Sequence, residues 1–191
     1  MPLTQAFASF EAEPMASASI GQVHRARLPS GEEVAVKVQH PGVAEAMESD
    51  LSGAGALARM ASLLAPAGVN AKEVFAELAA RFREELDYRH EAAQQTRFAQ
   101  LHAYHPRIHV PRVVLSHSTA RVMTSELVRA HPFAVAEQRD PAQRKADAEL
   151  LWHFVFKSIV HGGVFNADPH PGNLLVDPRG VQLPQDHVGH P

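Results

Sequence analysis

The sequence predicts an α+β protein with two lobes: a small lobe built on a β-sheet with extra helices, and an incomplete helical large lobe. Three observations carry this prediction. Two short β-type runs near the amino terminus are joined by a turn-type segment. Helical patterns and two further apolar runs follow. A last helical pattern then leads into a loop rich in proline and glycine, and into a hairpin. We place the lobes at 1–128 and 129–191.

The composition is that of an ordinary globular protein. Of 191 residues, 45% are hydrophobic and 20% are charged, and the net charge of −3 gives no sign of nucleic-acid binding. Cysteine is absent, which excludes disulfides, thiolate metal sites and a cysteine nucleophile. No apolar run approaches the roughly 20 residues that cross a bilayer, and the first residues lack a signal-peptide pattern. We expect a cytoplasmic protein without a transmembrane segment, and peripheral membrane contact stays open.

The first β-type runs are 21–27 and 33–39, joined by a Pro-Ser-Gly turn. In the second run Val34, Val36 and Val38 share one face, so that face is predicted to be core. The opposite face offers a small residue, Ala35, beside a single cation, Lys37. This arrangement could be an edge strand with a solvated lysine or a strand that carries a functional one.

The middle of the chain is predicted to be mainly helical. A first helix covers 41–64. A second begins after a cap at Asn70, with Glu73 completing a capping-box pattern, and runs to about residue 101, with a bend along it left open. Two apolar, β-branched runs at 110–115 and 121–128 are predicted strands. A third helix, 141–160, carries a wide stripe of residues expected to be buried, namely Leu150, Leu151, Phe154, Val155 and Ile159.

The loop after this helix contains an aspartate and an asparagine five residues apart, Asp168 and Asn173. Prolines and a glycine prevent helix formation, so that both side chains can converge on one point. Such a pair is typical of phosphoryl transfer, where the aspartate orients a hydroxyl and the asparagine holds magnesium. A predicted hairpin at 174–183 follows, and Asp186 stands where a second magnesium ligand would be needed.

Two further patterns support a phosphate-binding site upstream. Segment 15–24 contains small side chains that would let backbone amides approach a phosphate closely, although a plain surface turn has the same composition. Val34-Ala35-Val36-Lys37 has the form of a strand that presents a phosphate-binding lysine. A lysine in this position needs a carboxylate partner on a helix, and the acidic segment 84–91 offers one.

These residues together resemble the AarF/UbiB family of atypical protein kinases, which is associated with ubiquinone biosynthesis. The resemblance covers residues 13–186 and is carried by four motifs in order. They are Ala-Ser-Ile-Gly-Gln-Val-His at 18–24, Val-Ala-Val-Lys-Val-Gln-His-Pro-Gly at 34–42, Glu-Leu-Asp-Tyr-x-x-Glu-Ala at 85–92, and Ala-Asp-Pro-His-Pro-Gly-Asn-Leu-Leu at 167–175. The resemblance implies a bilobal protein-kinase-like fold and ATP with Mg²⁺ as cofactors.

The resemblance also implies roles for individual residues. Lys37 would contact phosphates and pair with Glu91, and Asp168 would be the catalytic-loop aspartate. Asn173 and Asp186 would hold magnesium. The remaining nucleotide-binding positions would be an alanine-rich loop, a small strand residue and the hinge, namely Ala16, Ser17, Ala18, Ser19, Ile20, Gly21, Gln22, Ala35, Glu126 and Val128. Glu85 and Asp87 would form the family's Glu-x-Asp motif.

The carboxy-terminal segment departs from the family pattern. The expected Asp-Phe-Gly reads Asp186-His187-Val188-Gly189, and the chain from residue 181 onward is expected to reflect a truncation or a frameshift. The resemblance therefore leaves two readings open: a magnesium-dependent kinase or ATPase linked to ubiquinone biosynthesis, or a pseudokinase-like module without turnover. Proteins of lipid biosynthesis or the membrane periphery are the expected partners. A histidine-based metal protein, suggested by 13 histidines, is disfavoured because they are dispersed.

Overall fold

The computed structural model describes residues 3–18, 20–62, 71–164, 173–177 and 180–182. Its helices are α1 (Leu3–Ala6), α2 (Val43–Ser62), α3 (Ala71–Glu85), α4 (Tyr88–His102), α5 (Ala134–Glu137) and α6 (Pro141–Val160). Its strands are β1 (Ser9–Phe10), β2 (Ala16–Ala18), β3 (Gly21–Arg27), β4 (Glu33–Gln39), β5 (Val122–Glu126), β6 (His131–Pro132), β7 (Leu175–Asp177) and β8 (Gly180–Gln182).

The first sheet is antiparallel and has the order β1-β3-β4-β5, with β2 also paired to β3. The predicted runs at 21–27 and 33–39 are confirmed as β3 and β4. Gly31 turns the chain between them at φ +90°, a conformation that suits glycine. Val34 and Val36 are buried in a core that includes Phe7, and Ala35 and Lys37 are buried on the opposite face. The strand is therefore covered on both sides.

The alanine-rich segment is a hairpin rather than an open loop. Ala16 to Ala18 form β2, which pairs with the start of β3 so that Ala18 lies opposite Gly21. Ser19 lies outside the described residues. Because alanine and serine tolerate extended backbone, nothing in this stretch of sequence forbids a strand, and pairing with β3 satisfies its backbone groups.

The helix predicted from Asn70 to about residue 101, with a bend left open, is interrupted by a full break rather than a bend. The structure has two helices, α3 and α4, separated at Leu86 and Asp87. Asp87 is extended, at φ −110° and ψ 96°, and its carboxylate accepts a hydrogen bond from the Arg89 amide, so it caps a new helix. The predicted cap at Asn70 lies outside the described residues. The apolar spacing of the first helix ends at Leu86, because Arg89 and His90 occupy the next helical positions, and α3 ends at Glu85.

The strand predicted at 110–115 is also wrong. Among the described residues, the backbone of that segment pairs with β5 as an isolated bridge between Val113 and Ser125 and not as a ladder, and a 3-10 turn follows at Leu115–His117. Pro111 lacks the amide hydrogen that a ladder needs, and it is buried with its carbonyl bonded to Gln95. The strand predicted at 121–128 is confirmed in a shorter form, Val122–Glu126.

A second core gathers α6 against α4 and the second sheet, β6-β7-β8. The predicted helix 141–160 and the hairpin that follows the Asp168 loop are confirmed as α6 and the β7–β8 pair. Leu150 and Phe154 are buried as expected, whereas Ile159 is 42% exposed and Trp152 lies on the exposed face. Helix α4 joins this second core to a third, smaller cluster beneath the first sheet. Its first half contributes Tyr88 and Ala92 to that small cluster, with Val113 and Met123, and its second half contributes Phe98 to the second core.

Candidate functional site

Lys37 occupies the middle of the first sheet. It lies on β4, opposite Val23 of β3 and Met123 of β5, and its side chain is only 9% exposed. An ammonium held in a sheet interior is costly to desolvate unless a counter-charge meets it. The lysine therefore needs a partner from outside the sheet.

Glu91, in the first turn of α4, is that partner. The Lys37 ammonium donates to both of its carboxylate oxygens, at 2.9 Å to Oε1 and 2.8 Å to Oε2. The Glu91 side chain is 22% exposed, so water screens the pair little. Two charge-assisted bonds from one ammonium fix α4 against the sheet at this point.

Tyr88 lies beneath the same ammonium. The Lys37 nitrogen is 4.6 Å from the centre of the Tyr88 ring, within the range of a cation–π contact. Tyr88 is 1% exposed, and burial, with Glu91 nearby, raises the pKa of its hydroxyl above the ordinary value. Within the part of the chain that the structure describes, this buried hydroxyl has no hydrogen-bond partner.

The break between α3 and α4 sets where Glu91 and Tyr88 lie. The Tyr88 amide donates to the Ala120 carbonyl at 2.9 Å, and the buried Gln39 amide on β4 donates to the Leu86 carbonyl. The Arg89 side chain and backbone donate to Asp87 and lower the pKa of its carboxyl to about 2 against the opposing effect of burial. Helix α4 is thus anchored at its first residue.

The Glu-x-Asp pair straddles this break. Glu85 is the last residue of α3 and is exposed to solvent. Asp87 is the cap of α4 and is half-buried. The two carboxylates therefore belong to different local structures. Of the two, the Asp87 carboxylate accepts a backbone hydrogen bond, from the Arg89 amide.

The β2–β3 hairpin approaches the pair from the sheet side. Gly21 is buried, and a Cβ built there would lie 2.4 Å from the Val38 carbonyl oxygen and 2.8 Å from the Tyr88 hydroxyl. Only glycine fits that contact. Ile20 packs against Tyr88 and its neighbours, whereas Ala16, Ala18 and Gln22 are half-buried and Ser17 is exposed. The hairpin tip thus lies beside Tyr88.

The predicted hinge residues, Glu126 and Val128, lie at and just after the end of β5. Lys37 pairs with Met123, three residues before Glu126 on the same strand. Glu126 accepts hydrogen bonds from His109, at 3.0 Å, and from the Arg112 amide. The hydrogen bond to Glu126 raises the pKa of His109, and the same bond lowers the pKa of Glu126. Glu126 and Val128 line a cleft of about 590 Å³ with segment 103–109 and Asp177. Its described lining includes neither Lys37 nor Glu91.

The structure places only part of the predicted large-lobe set. Asn173 is half-buried just before β7. Asp168, Asp186 and Ser19 lie outside the described residues. In the described ranges, the structure brings together Lys37, Glu91 and the alanine-rich hairpin around Tyr88. The roles assigned to all these residues stay predictions.

The described ranges contain neither a cluster of metal ligands nor a membrane-spanning helix. Among those residues, no group of three or more histidine, aspartate and glutamate side chains is arranged to hold a metal ion. None of the helices in the described part of the chain has the length and apolar character needed to cross a membrane.

Comparison with known proteins identifies the family. The family described as "ABC1 atypical kinase-like domain" matches residues 1–187. The chain belongs to this family. A probable protein kinase UbiB of Pseudomonas aeruginosa is 35% identical over 187 residues, which cover 96% of this chain and 35% of that protein. The chloroplastic protein ACTIVITY OF BC1 COMPLEX KINASE 8 of Arabidopsis thaliana is 35% identical over 179 residues, covering 90% of this chain and 23% of that protein.

A solved structure confirms the fold of this ABC1 kinase-like chain. The complex of Rv3197 with erythromycin, from Mycobacterium tuberculosis, superposes with a TM-score of 0.86 at 37% identity, covering 96% of this chain and 46% of that one. The predicted family and the protein-kinase-like α+β fold are therefore confirmed. The chain spans between 23% and 37% of the length of the curated relatives it matches.

Sequence reasoning gave Tyr88 no role, although the residue stands inside a recognised motif. Its signal was its spacing: Tyr88 precedes Glu91 by three residues, so both side chains lie on one face of a helix. The anchoring residue Gln39 carried no such signal, because its contacts with Leu86 and Ala120 join segments far apart in sequence.

Proposed function

We propose that this ABC1 kinase-like chain binds Mg·ATP between the β2–β3 hairpin and the segments that follow α6, as part of a phosphotransferase or ATPase. The observation that carries the proposal is the Lys37–Glu91 pair, with its bonds of 2.8 and 2.9 Å inside the sheet. Phosphoryl transfer requires a lysine held in this way, because the ammonium must meet phosphate oxygens in a fixed position.

The described residues fit the triphosphate end of such a ligand. Lys37 supplies a buried cation that Glu91 orients, and the small residues of the hairpin leave space for close backbone approach. Ala35 lies beside Lys37 on the same face of β4 and would leave room for the base. The backbone of Glu126 and Val128 would contact adenine.

The large-lobe residues complete the proposal. Asp168 would orient the acceptor hydroxyl or water, and Asn173 and Asp186 would hold the magnesium ion. The metal would neutralise phosphate charge during transfer. Relatives named UbiB suggest a role in ubiquinone biosynthesis for the whole protein. The sequence Asp186-His187-Val188-Gly189 favours a second candidate, a module that binds nucleotide without turnover.

Calorimetric titration of the purified chain with Mg·ATP tests the proposal. We expect binding that weakens about tenfold or more in Lys37→Ala, since a charge-assisted hydrogen bond to phosphate is lost. Lys145→Ala is the matched control, because Lys145 is on α6 and its side chain is 79% exposed. Equal affinity in the wild-type and Lys37→Ala proteins would remove the basis of the proposal.

Turnover separates the two candidates. A phosphate-release assay on the wild-type protein and on Asp168→Asn should show activity that the substitution abolishes while Mg·ATP binding persists. If neither protein releases phosphate although both bind, the module without turnover is the correct description.

A further inference from the structure

The Lys37 ammonium has two contacts from one helix, and the Glu91 carboxylate is only one of them. The other is the ring of Tyr88, whose centre lies 4.6 Å from the nitrogen. Residues 88 and 91 stand three apart in α4, so the helix presents both groups to the ammonium at once.

Packing alone accounts poorly for a tyrosine at this position. Tyr88 is buried with Ala92, Val113 and Met123, where phenylalanine would fill the same volume. The hydroxyl is buried and lacks a partner among the described residues, which is an unfavourable state for a polar group. The ring face, and not this hydroxyl, is the part of Tyr88 that the Lys37 ammonium meets.

The hydroxyl end of the ring meets the nucleotide-side hairpin. It lies 2.8 Å from the point where a Cβ of Gly21 would stand, at the first residue of β3. The ring thus spans the space between the ammonium and the hairpin backbone. A shift of α4 would move the Glu91 carboxylate, the Tyr88 ring and this hairpin contact together.

We propose that Tyr88 is a positioning residue that fixes the Lys37 ammonium by a cation–π contact. A lysine side chain has many rotamers, and holding it in one position costs conformational entropy. The Glu91 carboxylate holds the ammonium from one side and the Tyr88 ring face holds it from a second side, so the two contacts together restrict it more than either does alone. Its use for a nucleotide phosphate rests on the proposed function, but the positioning itself exists in the free protein.

The first experiment needs no nucleotide. Carbon-13 NMR correlation spectra of the lysine-labelled free protein should show upfield-shifted ε-methylene protons for Lys37, because that methylene is bonded to the nitrogen that lies 4.6 Å from the ring centre. The Lys37 signal is assigned by its loss in Lys37→Arg. The shift should persist in Tyr88→Phe and disappear in Tyr88→Met, which has no ring. An unshifted wild-type signal, or a shift that survives in Tyr88→Met, overturns the proposal.

The second experiment measures coupling in the binding of Mg·ATP. Tyr88→Met should weaken binding about fivefold, the ratio that corresponds to a cation–π contact. In a Lys37→Ala background the same change should have no effect, since the cation is gone. Phe98→Leu is the matched control, because Phe98 is a buried aromatic residue of the same helix in the other core.

The outcomes are distinct. A fivefold loss in both backgrounds means that Tyr88 only supports the fold, which overturns the positioning role. If the wild-type protein does not bind Mg·ATP, the proposed function fails. The NMR shift alone then tests whether the Tyr88 ring holds the Lys37 ammonium. The wild-type spectrum gives this decision even if Tyr88→Met does not fold.

Discussion

The two halves of α4 bury polar groups in opposite ways. The first half places the charged Glu91 and the ring of Tyr88 against Lys37 beneath the sheet. The second half places a neutral histidine, His102, against Phe154 at 4.6 Å, with a 2.9 Å hydrogen bond between its Nε2 and Ser158 Oγ. One helix thus joins a charged site to an uncharged anchor.

Each half also contains a buried polar atom that has no partner among the described residues. These atoms are the Tyr88 hydroxyl and His102 Nδ1. Around His102, burial and nearby cations favour the neutral ring. Around Tyr88, a cation and a carboxylate meet. Because this cation and carboxylate meet at the first half, substitutions in the second half of α4 should lower stability alone, whereas substitutions in the first half should weaken ligand binding as well.

The largest expected effect is on stability in the second half. Phe98→Ala removes a buried ring stacked at 5.6 Å on Phe154 and should lower the free energy of unfolding by about 4 kcal/mol. Urea denaturation measures the loss. The folded fraction should bind Mg·ATP with unchanged affinity, and a parallel loss of affinity would show that the two halves are not separable.

The next largest effect is expected from acid, which should lower the free energy of unfolding by protonating the buried His102. Burial, and then the charges of Lys157, His105 and His153, lower the pKa of His102 from 6.5 to about 4. The unfolded chain binds a proton more readily, so stability is full above pH 6.5 and falls by up to about 3 kcal/mol as the pH drops toward 4.

Urea denaturation across this pH window checks the histidine prediction. The slope should flatten in His102→Gln, which can keep the bond to Ser158. The slope should remain in His161→Gln, since His161 is exposed after α6. Identical slopes in the wild-type and His102→Gln proteins would contradict a neutral buried His102.

The smallest effect is expected at the Tyr88 hydroxyl. Tyr88→Phe removes a buried hydroxyl without a described partner and should leave the free energy of unfolding unchanged or raise it by about 1 kcal/mol. Thermal denaturation with and without Mg·ATP makes the measurement. A marked loss of stability would mean that the hydroxyl does have a partner, and the contrast between the halves of α4 would need revision.

Local patterns predicted many of the elements and the family, because each depends on neighbours in sequence. Strands β3 and β4 followed from alternation and a turn, and α6 followed from its periodic stripe. The sequence left a bend open in the helix after Asn70, but the full break at Leu86 and Asp87 depends on bonds from distant segments, namely those to Gln39 and Ala120. The segment 110–115 does not form the predicted strand, because Pro111 has no amide hydrogen for a ladder and the segment pairs with β5 only as an isolated bridge among the described residues.

The sequence by itself determined the family, the kinase-like fold and the candidate residues, because its motifs are short and continuous. The resemblance implied Glu91 as the partner of Lys37, but only the tertiary structure decided the rest of its surroundings, because those neighbours come from strands and a helix that are up to 86 positions away in the chain. Contacts between distant segments depend on how the sheet and α4 pack together, and the spacing of residues within one segment does not predict that packing.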